Sequence, residues 1–398
     1  MVSPLHVRRL AFARFLSLAG NDAVFIVGLL GRAVYDFDAG PAQVAPLMLS
    51  IGVSFLVGSA VGGPLVDRFD PRRVLLVGEL CAAPVALAMI LPSTLAGLTA
   101  ITAVLGLLYG IVHVGSASFA PFLVDEAEHT GVVNASLGLA EGLGAVAGAA
   151  VAALLSGTVG TAGVFVLDAA TSIVAALLVV GVSLRPVRRD QGLRAAELAA
   201  GLRLIGLTPV LRYAMALGLA TFLSWGFFAV FEPLFFRDAL HEGVAVFGVV
   251  NAVFGAGVVA GAIVARRLLA NGATLRLVTV LVAASGAGAV AYTGIADIRA
   301  VVVGSLLFGT SVGVLEPAIR TAVQAATPDA LVGRVTGVLG MTESAGDLVP
   351  PLIVGGLAVS ADPQAVLVGA GMVLIAVAVA ALPLAVRLDR PTLAQRTG

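Results

Sequence analysis

The chain alternates between long apolar runs and short polar breaks along its whole length. The apolar runs cover residues 10–32, 44–66, 74–92, 97–119, 132–156, 161–184, 211–236, 244–268, 274–295, 299–322, 331–358 and 364–387. A helix needs about 20 residues to cross a hydrocarbon core of about 30 Å, and most of these runs reach that length. Barrel strands alternate in shorter stretches of about 10 residues. The pattern predicts an all-α membrane protein with twelve transmembrane helices, numbered below as spans 1 to 12.

The composition changes the list of possible functions. Of 398 residues, 59% are hydrophobic and 12% are charged, whereas soluble domains have roughly 45–50% and 25%. These values exclude a water-soluble enzyme and a disordered chain, and a single cysteine excludes an internal disulfide framework. The formal net charge is zero, so bulk charge gives no reason to expect a nucleic-acid partner. We expect the lipid bilayer to be the main surrounding of the chain.

The positive residues test the order of the spans. All 23 are arginine, and with both termini in the cytoplasm the outer face holds only Arg32, Arg237 and Arg299. The remaining arginines then lie on the inner face, as the positive-inside rule requires. We therefore expect a multi-pass protein of the plasma membrane with both termini cytoplasmic. The arginine-only, alanine- and glycine-rich composition suggests a bacterial source.

The longest hydrophilic stretch divides the chain into three parts. Residues 1–184 are predicted to form an N-terminal six-helix bundle, and residues 211–398 a C-terminal one. Residues 185–210 are predicted to form a cytoplasmic linker, either solvated or with a short helix on the inner membrane surface. Both bundles contain related sequences, since Gly63–Arg68 and Gly261–Arg266 follow the second span of each. The two bundles are therefore expected to be pseudo-symmetric repeats.

The loop between spans 2 and 3 contains the most specific motif of the chain. It reads Gly63-x-Leu65-Val66-Asp67-Arg68-Phe69-Asp70-Pro71-Arg72-Arg73. This loop resembles the signature loop of the major facilitator superfamily. Val166-Leu167-Asp168-Ala169 and Gly333-Arg334-Val335 are similar to the drug-efflux branch that includes macrolide-efflux and enterobactin-exporter proteins.

The resemblance implies a function for the signature loop. It assigns a conformational latch, which holds the outward-facing state, to Gly63, Asp67, Arg68, Arg72 and Arg73. Asp67 at the end of span 2 can accept hydrogen bonds from the N-terminal amides of a neighbouring helix. The alternative is that the arginines only set the topology.

Apart from the arginines at their boundaries, the predicted spans contain more acids than bases. The acids are Asp22, Glu79, Glu141, Asp168, Glu232, Glu316, Glu343 and Asp347, whereas the arginines clearly within the spans are Arg14, Arg212 and Arg320, all near the inner ends. An ionised side chain at the bilayer centre costs about 2.5–3.5 kcal/mol on insertion scales. Several acids are therefore expected to hold protons or to face a wet cavity that attracts cations.

The resemblance implies that spans 1, 4, 7 and 10 line a central cavity. Asp22 lies about 18 Å into span 1 and is the first candidate for a proton-titrating or cation-binding acid. Glu316 on span 10 is the second, and Glu232 on span 7 lies at the outer mouth. The other polar and aromatic cavity candidates are Asn21, Tyr109, His113 and Trp225. For each of them, helix packing is the alternative.

Spans 5 and 11 contain a second group of acids. Glu343 and Asp347 are four residues apart on one helix face, so both do not ionise at low cost. Glu141 has the related place on span 5, and a role in coupling is the hypothesis for all three. Glu79 is expected to pair with the loop arginines, and Asp168 is expected to be structural.

Other functional classes lack the residues they need. Gly142-x-Gly144-x-x-Ala147 mimics a dinucleotide fingerprint but follows no strand. We predict no nucleotide, cofactor or metal site and no enzyme activity. The sequence predicts a monomeric secondary active transporter that exports a lipophilic small molecule or drug, with or without a positive charge, in exchange for protons. The alternatives are export of an anionic metabolite or siderophore, import, and a non-transporting receptor or scaffold.

Overall fold

A computed structural model describes residues 4–119, 123, 130–182, 195–270, 272–328, 331–356 and 361–389. The helices in chain order are α1 Pro4–Asp22, α2 Pro41–Phe69, α3 Pro71–Ala88, α4 Leu95–Ala117, α5 Thr130–Val159, α6 Thr161–Val180, α7 Ala195–Leu207, α8 Pro209–Asp238, α9 Val244–Leu268, α10 Leu275–Thr293, α11 Ile298–Ala325, α12 Val332–Gly356 and α13 Pro363–Leu388. Two π-helical segments, Ala23–Leu29 and Arg32–Asp36, continue α1. No strand occurs among these residues, which confirms the all-α fold class.

Ten helices of the described part are long and apolar enough to cross a membrane, counting α1 with its π-helical continuation. The remaining two predicted spans correspond to α3 and α12, which both contain arginine and glutamate side chains. Helix α7 lies within the predicted linker. Helices α8 and α11 include Pro233 and Pro317 in their interiors, because a bundle can satisfy the backbone groups that an internal proline frees.

Polar caps explain where several helices begin. Asp70 separates α2 from α3 with a φ of 69°, and its side chain accepts a hydrogen bond from the Arg73 backbone at 2.9 Å. Asp297 and Asp362 cap α11 and α13 in the same way. Each cap satisfies an amide that the first helical turn leaves free. The turn residues that divide the hydrophobic pattern are thus also the helix starts.

The chain forms two compact units. Unit 1 contains Met1–Gly192 and Glu242–Ala252, and unit 2 contains Leu193–His241 and Val253–Gly398. Within unit 1, α1 packs against α5 and α6, α3 against α4 and α6, and α2 against α4. Within unit 2, α10 packs against α11 and α13, α8 against α12 and α13, and α7 against α12.

Glycines bring α1 close to its neighbours in unit 1. A Cβ added at Gly144 would lie 2.5 Å from the Phe15 carbonyl oxygen, and one at Gly148 would lie 2.9 Å from Ala19 Cα. A Cβ at Gly20 would lie 2.5 Å from Asp168 Oδ1. Small residues allow such close approach of helices in lipid. The small residues let the polar face of α1 pack directly against α5 and α6, and the candidate site lies at this contact.

Candidate functional site

Helix α1 presents three polar residues on one face. Arg14, Ser17 and Asn21 are spaced by three and four residues, which places them side by side on a helix. Arg14 is 3% exposed and Ser17 is 1% exposed. This spacing is a signal in the sequence that a search for individual acids misses. It shows that α1 has a polar stripe inside unit 1.

Arg14 forms a buried ion pair with Glu141 of α5. Its Nε donates to Glu141 Oε1 at 2.9 Å. The sequence pattern groups Arg14 with the arginines that set topology, and the structure adds that its side chain is buried. Arg14 lies ten residues into α1, so α5 and α6 cover it. A buried guanidinium needs a counter-ion, and Glu141 provides it.

Asp168 of α6 joins two of the predicted cavity residues. Its side chain is fully buried, and Tyr109 of α4 donates its hydroxyl to Oδ2 at 2.8 Å. With its amide nitrogen facing Asp168, Asn21 donates to Oδ1 at 3.2 Å and to the Ser17 carbonyl at 3.1 Å. Asn21 and Tyr109 are therefore brought together by an aspartate that is central to the core of unit 1.

Glu79 of α3 lies in the same core. Its side chain is 2% exposed, and its polar neighbours are Arg14, Ser17 and Ser172. The expected pairing of Glu79 with the loop arginines is wrong. Glu79 lies eight residues, or about 12 Å, beyond the start of α3, whereas those arginines stay at the helix start.

Asp22 lies where α1 changes to π-helical hydrogen bonding. It directly precedes the segment Ala23–Leu29, and its side chain is half-buried. No cation among the described residues pairs with it. Single π-helical turns within α-helices occur often at functional sites. His113 of α4, another cavity candidate, is exposed, and its ring packs at 5.5 Å from that of Phe55.

Arg320 of α11 organises the acids of unit 2. It donates to Glu316 at 3.3 Å and to Glu343 of α12 at 3.2 Å. The sequence pattern separates these two glutamates into different groups, but the structure joins them through one arginine. Asp347 follows one turn later on α12, and no cation in the described part of the chain pairs with it.

The remaining candidates of unit 2 take part in packing. Tyr292 of α10 donates its hydroxyl to Glu232, and the Tyr292 ring stacks on Phe228 at 6.2 Å. Trp225 donates its indole nitrogen to Ser285 at 3.2 Å. These contacts tie α8 to α10. Aromatic residues of α8 therefore pack mainly within unit 2.

The predicted latch residues lie at the end of α2 and the start of α3. Gly63 is within α2, and Arg68 stacks at 5.1 Å over the Phe69 ring. Arg72 donates to the Val180 carbonyl at the end of α6, and Arg73 pairs with Asp70 at 3.6 Å. Asp67 belongs to the last turn of α2, and its side chain lies outside the described residues.

Comparison with solved structures shows the fold. The chain is similar to a variant of the nucleoside transporter NupG, with 13% identity, a TM-score of 0.77, and coverage of 97% of this chain and 100% of that one. A bacterial homologue of the human lysosomal transporter Spinster has 14% identity, a TM-score of 0.73, and coverage of 99% and 100%. A POT family transporter in complex with 5-aminolevulinic acid has 12% identity, a TM-score of 0.74 and 96% coverage of both chains.

Sequence comparison shows the family. No curated protein matches the chain. The family model described as Major Facilitator Superfamily matches residues 10–351, which is most of the chain. Together with the all-helical fold and the neighbouring transporters, this match makes the protein a membrane transporter that belongs to the major facilitator superfamily.

Proposed function

We propose that the protein exports a lipophilic or cationic small molecule, such as a drug, in exchange for protons by alternating access. The surplus of acids over arginines away from the ends of the membrane helices carries this proposal. Arg14 and Arg320 are already paired with glutamates, and Asp22 has no cation among its described neighbours. An acid without a counter-ion in a membrane protein attracts a proton or a cationic ligand.

The pairing of the arginines also bears on the substrate charge. An anionic metabolite or siderophore needs a guanidinium that is free to bind it, and the two membrane arginines closest to the candidate acids are engaged. The similar solved structures include a nucleoside transporter and a transporter in complex with 5-aminolevulinic acid, so the fold alone does not select a substrate. The acids therefore favour a neutral or cationic substrate.

The proposed cycle uses Asp22 as the acid that meets the substrate or the proton, and Glu316 as a second acid that must release Arg320 before it can do so. Protonation from outside neutralises an acid, and release of that proton to the inside accompanies expulsion of the substrate. One charge that moves through about 100 mV supplies about 2.3 kcal/mol. This energy corresponds to a concentration ratio of about fifty, which suffices for export.

The test is dye flux in proteoliposomes with an imposed pH gradient. Ethidium serves as the cationic probe and carboxyfluorescein as the anionic one. We expect uphill transport of ethidium that stops when a protonophore dissipates the gradient. Asp22→Asn should abolish gradient-driven transport, whereas Asp36→Asn, an exposed acid at the end of the same helix, should not. Uphill transport that persists without the gradient contradicts proton coupling.

We further propose that the loop between α2 and α3 acts as the latch of the outward-facing state. The bond from Arg72 to the end of α6 and the capping of α3 by Asp70 support a rigid loop. Asp67→Asn should slow ethidium flux several-fold while the amount of protein in the membrane stays unchanged. Unchanged flux contradicts the latch and leaves the arginines with a role in topology.

A further inference from the structure

The core of unit 1 contains buried polar atoms without hydrogen-bond partners. Arg14 Nη1, Ser17 Oγ and Ser172 Oγ have no partner in the described part of the chain. All three side chains are at most 3% exposed. Unpaired polar groups in a protein interior are rare and costly. Their convergence therefore indicates a second arrangement in which they do have a partner.

These three groups surround the carboxyl group of Glu79. The hydroxyls of Ser17 and Ser172 approach the carboxyl group as donors, and the Arg14 guanidinium lies beside it as a positive charge, but these contacts fall short of hydrogen-bond geometry. An ionised carboxylate would attract all three donors, because charge-assisted hydrogen bonds are the strongest of their kind. The Arg14 Nη1 atom, which has no partner among the described residues, is therefore available to Glu79 when its carboxyl group ionises.

A count of charges in unit 1 agrees with this interpretation. The positive charge of Arg14 is balanced by Glu141 at 2.9 Å. Asp168 accepts hydrogen bonds from Tyr109 and Asn21, and no cation among the described residues pairs with it. A further negative charge on Glu79 would have no cation of its own, and burial of such a charge is costly.

We propose that Glu79 takes up and releases the coupling proton, and that Arg14 exchanges between Glu141 and Glu79 as the proton leaves. This inference rests on the proposed proton coupling and adds a core site to the acids Asp22 and Glu316. A proton from water forms the O–H bond of Glu79. On release that bond breaks, water takes the proton, and the carboxylate draws in Arg14 Nη1 and the two serine hydroxyls.

The exchange connects the proton to the packing of α1. Arg14 lies on α1, Glu141 on α5 and Glu79 on α3, so the protonation state of Glu79 decides which helix Arg14 binds. Asp22 lies eight residues, or about 12 Å, further along α1, at the start of the π-helical segment. A shift of α1 therefore moves the acid that is proposed to meet the substrate.

The ionisable groups near this core come from four other helices and limit the alternatives. They are Arg14 and Asp22 on α1, Tyr109 and His113 on α4, Glu141 on α5 and Asp168 on α6. Tyr109 and Asp168 stay bonded to each other. A sodium ion needs several oxygen ligands, and the Arg14 guanidinium beside Glu79 repels a metal cation. A proton needs only one oxygen atom, so the observations favour the proton.

Infrared spectroscopy of the purified full-length protein in lipid nanodiscs tests the site without a substrate. We expect a carboxylic-acid C=O band at neutral pH that disappears on alkaline titration. Glu79→Gln should remove one component of this band, whereas Asp36→Asn should retain every component, and Glu79→Asp should shift the component that Glu79 contributes. An unchanged band in Glu79→Gln, the absence of any such band in the wild type, or loss of the Glu79 component on addition of sodium at constant pH overturns the proposal.

Transport separates the failure of this inference from the failure of the proposed function. Glu79→Gln should lose gradient-driven ethidium accumulation at least tenfold but retain downhill ethidium flux, which also shows that the variant is folded. Glu79→Asp should restore part of the accumulation. If the Glu79→Gln variant still accumulates ethidium in response to the pH gradient, the proposed role of Glu79 is overturned but proton coupling is not. If ethidium accumulation by the wild-type protein does not depend on the pH gradient, proton coupling is overturned. The infrared band still reports whether Glu79 holds a proton.

Discussion

Glu141 of unit 1 and Glu343 of unit 2 occupy equivalent places, yet they bind arginines from different helices. Gly144 lies against the Phe15 carbonyl and Gly346 against the Phe222 carbonyl, which aligns α1 with α8. In this alignment Thr221 replaces Arg14 and Ala229 replaces Asp22. Glu343 binds Arg320 of α11, which is 42% exposed, whereas Glu141 binds Arg14, which is 3% exposed.

The two repeats therefore share their helix packing but differ in their buried charged side chains. Unit 1 has charge in its core, while the core of unit 2 is apolar and its buried polar contacts are mostly between neutral groups. Tyr213 bonds to Thr279 at 2.6 Å, and Ser224 donates to the Ala370 carbonyl at 2.9 Å. A glycine contact depends only on the small size of the residue, and it is present in both repeats. An ion pair needs both of its partners, so a repeat that lacks the arginine on its first helix cannot form the same pair.

The largest expected effect is the loss of the buried ion pair. Glu141→Ala should lower the free energy of unfolding by about 3–5 kcal/mol, because it leaves Arg14 buried without its counter-ion. The matched variant Glu343→Ala should cost at most about 1 kcal/mol, because Arg320 is partly exposed and retains Glu316. Chemical unfolding in detergent micelles measures both values. Alkaline pH should reduce the first loss, since ionised Glu79 offers Arg14 a second partner. Equal losses of unfolding free energy in Glu141→Ala and Glu343→Ala contradict the inferred difference between the two units.

The glycine contacts should give equal effects in the two units. Gly144→Leu and Gly346→Leu place side chains against a neighbouring backbone, and overpacking of this kind typically costs about 1–3 kcal/mol. Gly142→Leu and Gly340→Leu are the controls, since an added Cβ at either position has no atom within 4 Å. Melting temperatures in detergent measure all four variants. A control that unfolds as early as its partner variant contradicts the packing account.

The smallest expected effect is the loss of one tyrosine hydroxyl. Tyr109→Phe removes a donor from the buried Asp168 and should cost about 1–2 kcal/mol, whereas hydrogen bonds in membrane proteins average about 0.6 kcal/mol. Tyr213→Phe should cost less, because Thr279 still donates to the Leu275 carbonyl at 2.7 Å. Unfolding experiments on both variants test this order. A larger loss for Tyr213→Phe shows that neutral pairs matter more in unit 2 than we infer.

Periodicity and composition alone lead to the fold class, because a bilayer demands long apolar helices with all backbone groups paired. The arginine distribution, the turn residues and the loop motif lead to the family in the same way. The apolar runs, the turn residues and the loop motif are local signals, because each is contained in a single stretch of the sequence. The helix starts at Pro41, Pro71 and Pro363 are therefore readable from the sequence.

The partners of the acids are not readable in this way, because each pair joins residues far apart in the chain. Arg14 meets Glu141 across 127 residues, and Tyr109 meets Asp168 across 59. Apolar helices have many similar ways to pack, and the close approach at Gly20, Gly144 and Gly148 selects one of them. Only that packing shows that Glu79 faces Arg14 and that Glu316 and Glu343 share one arginine, since side-chain pairing depends on distances of a few ångströms.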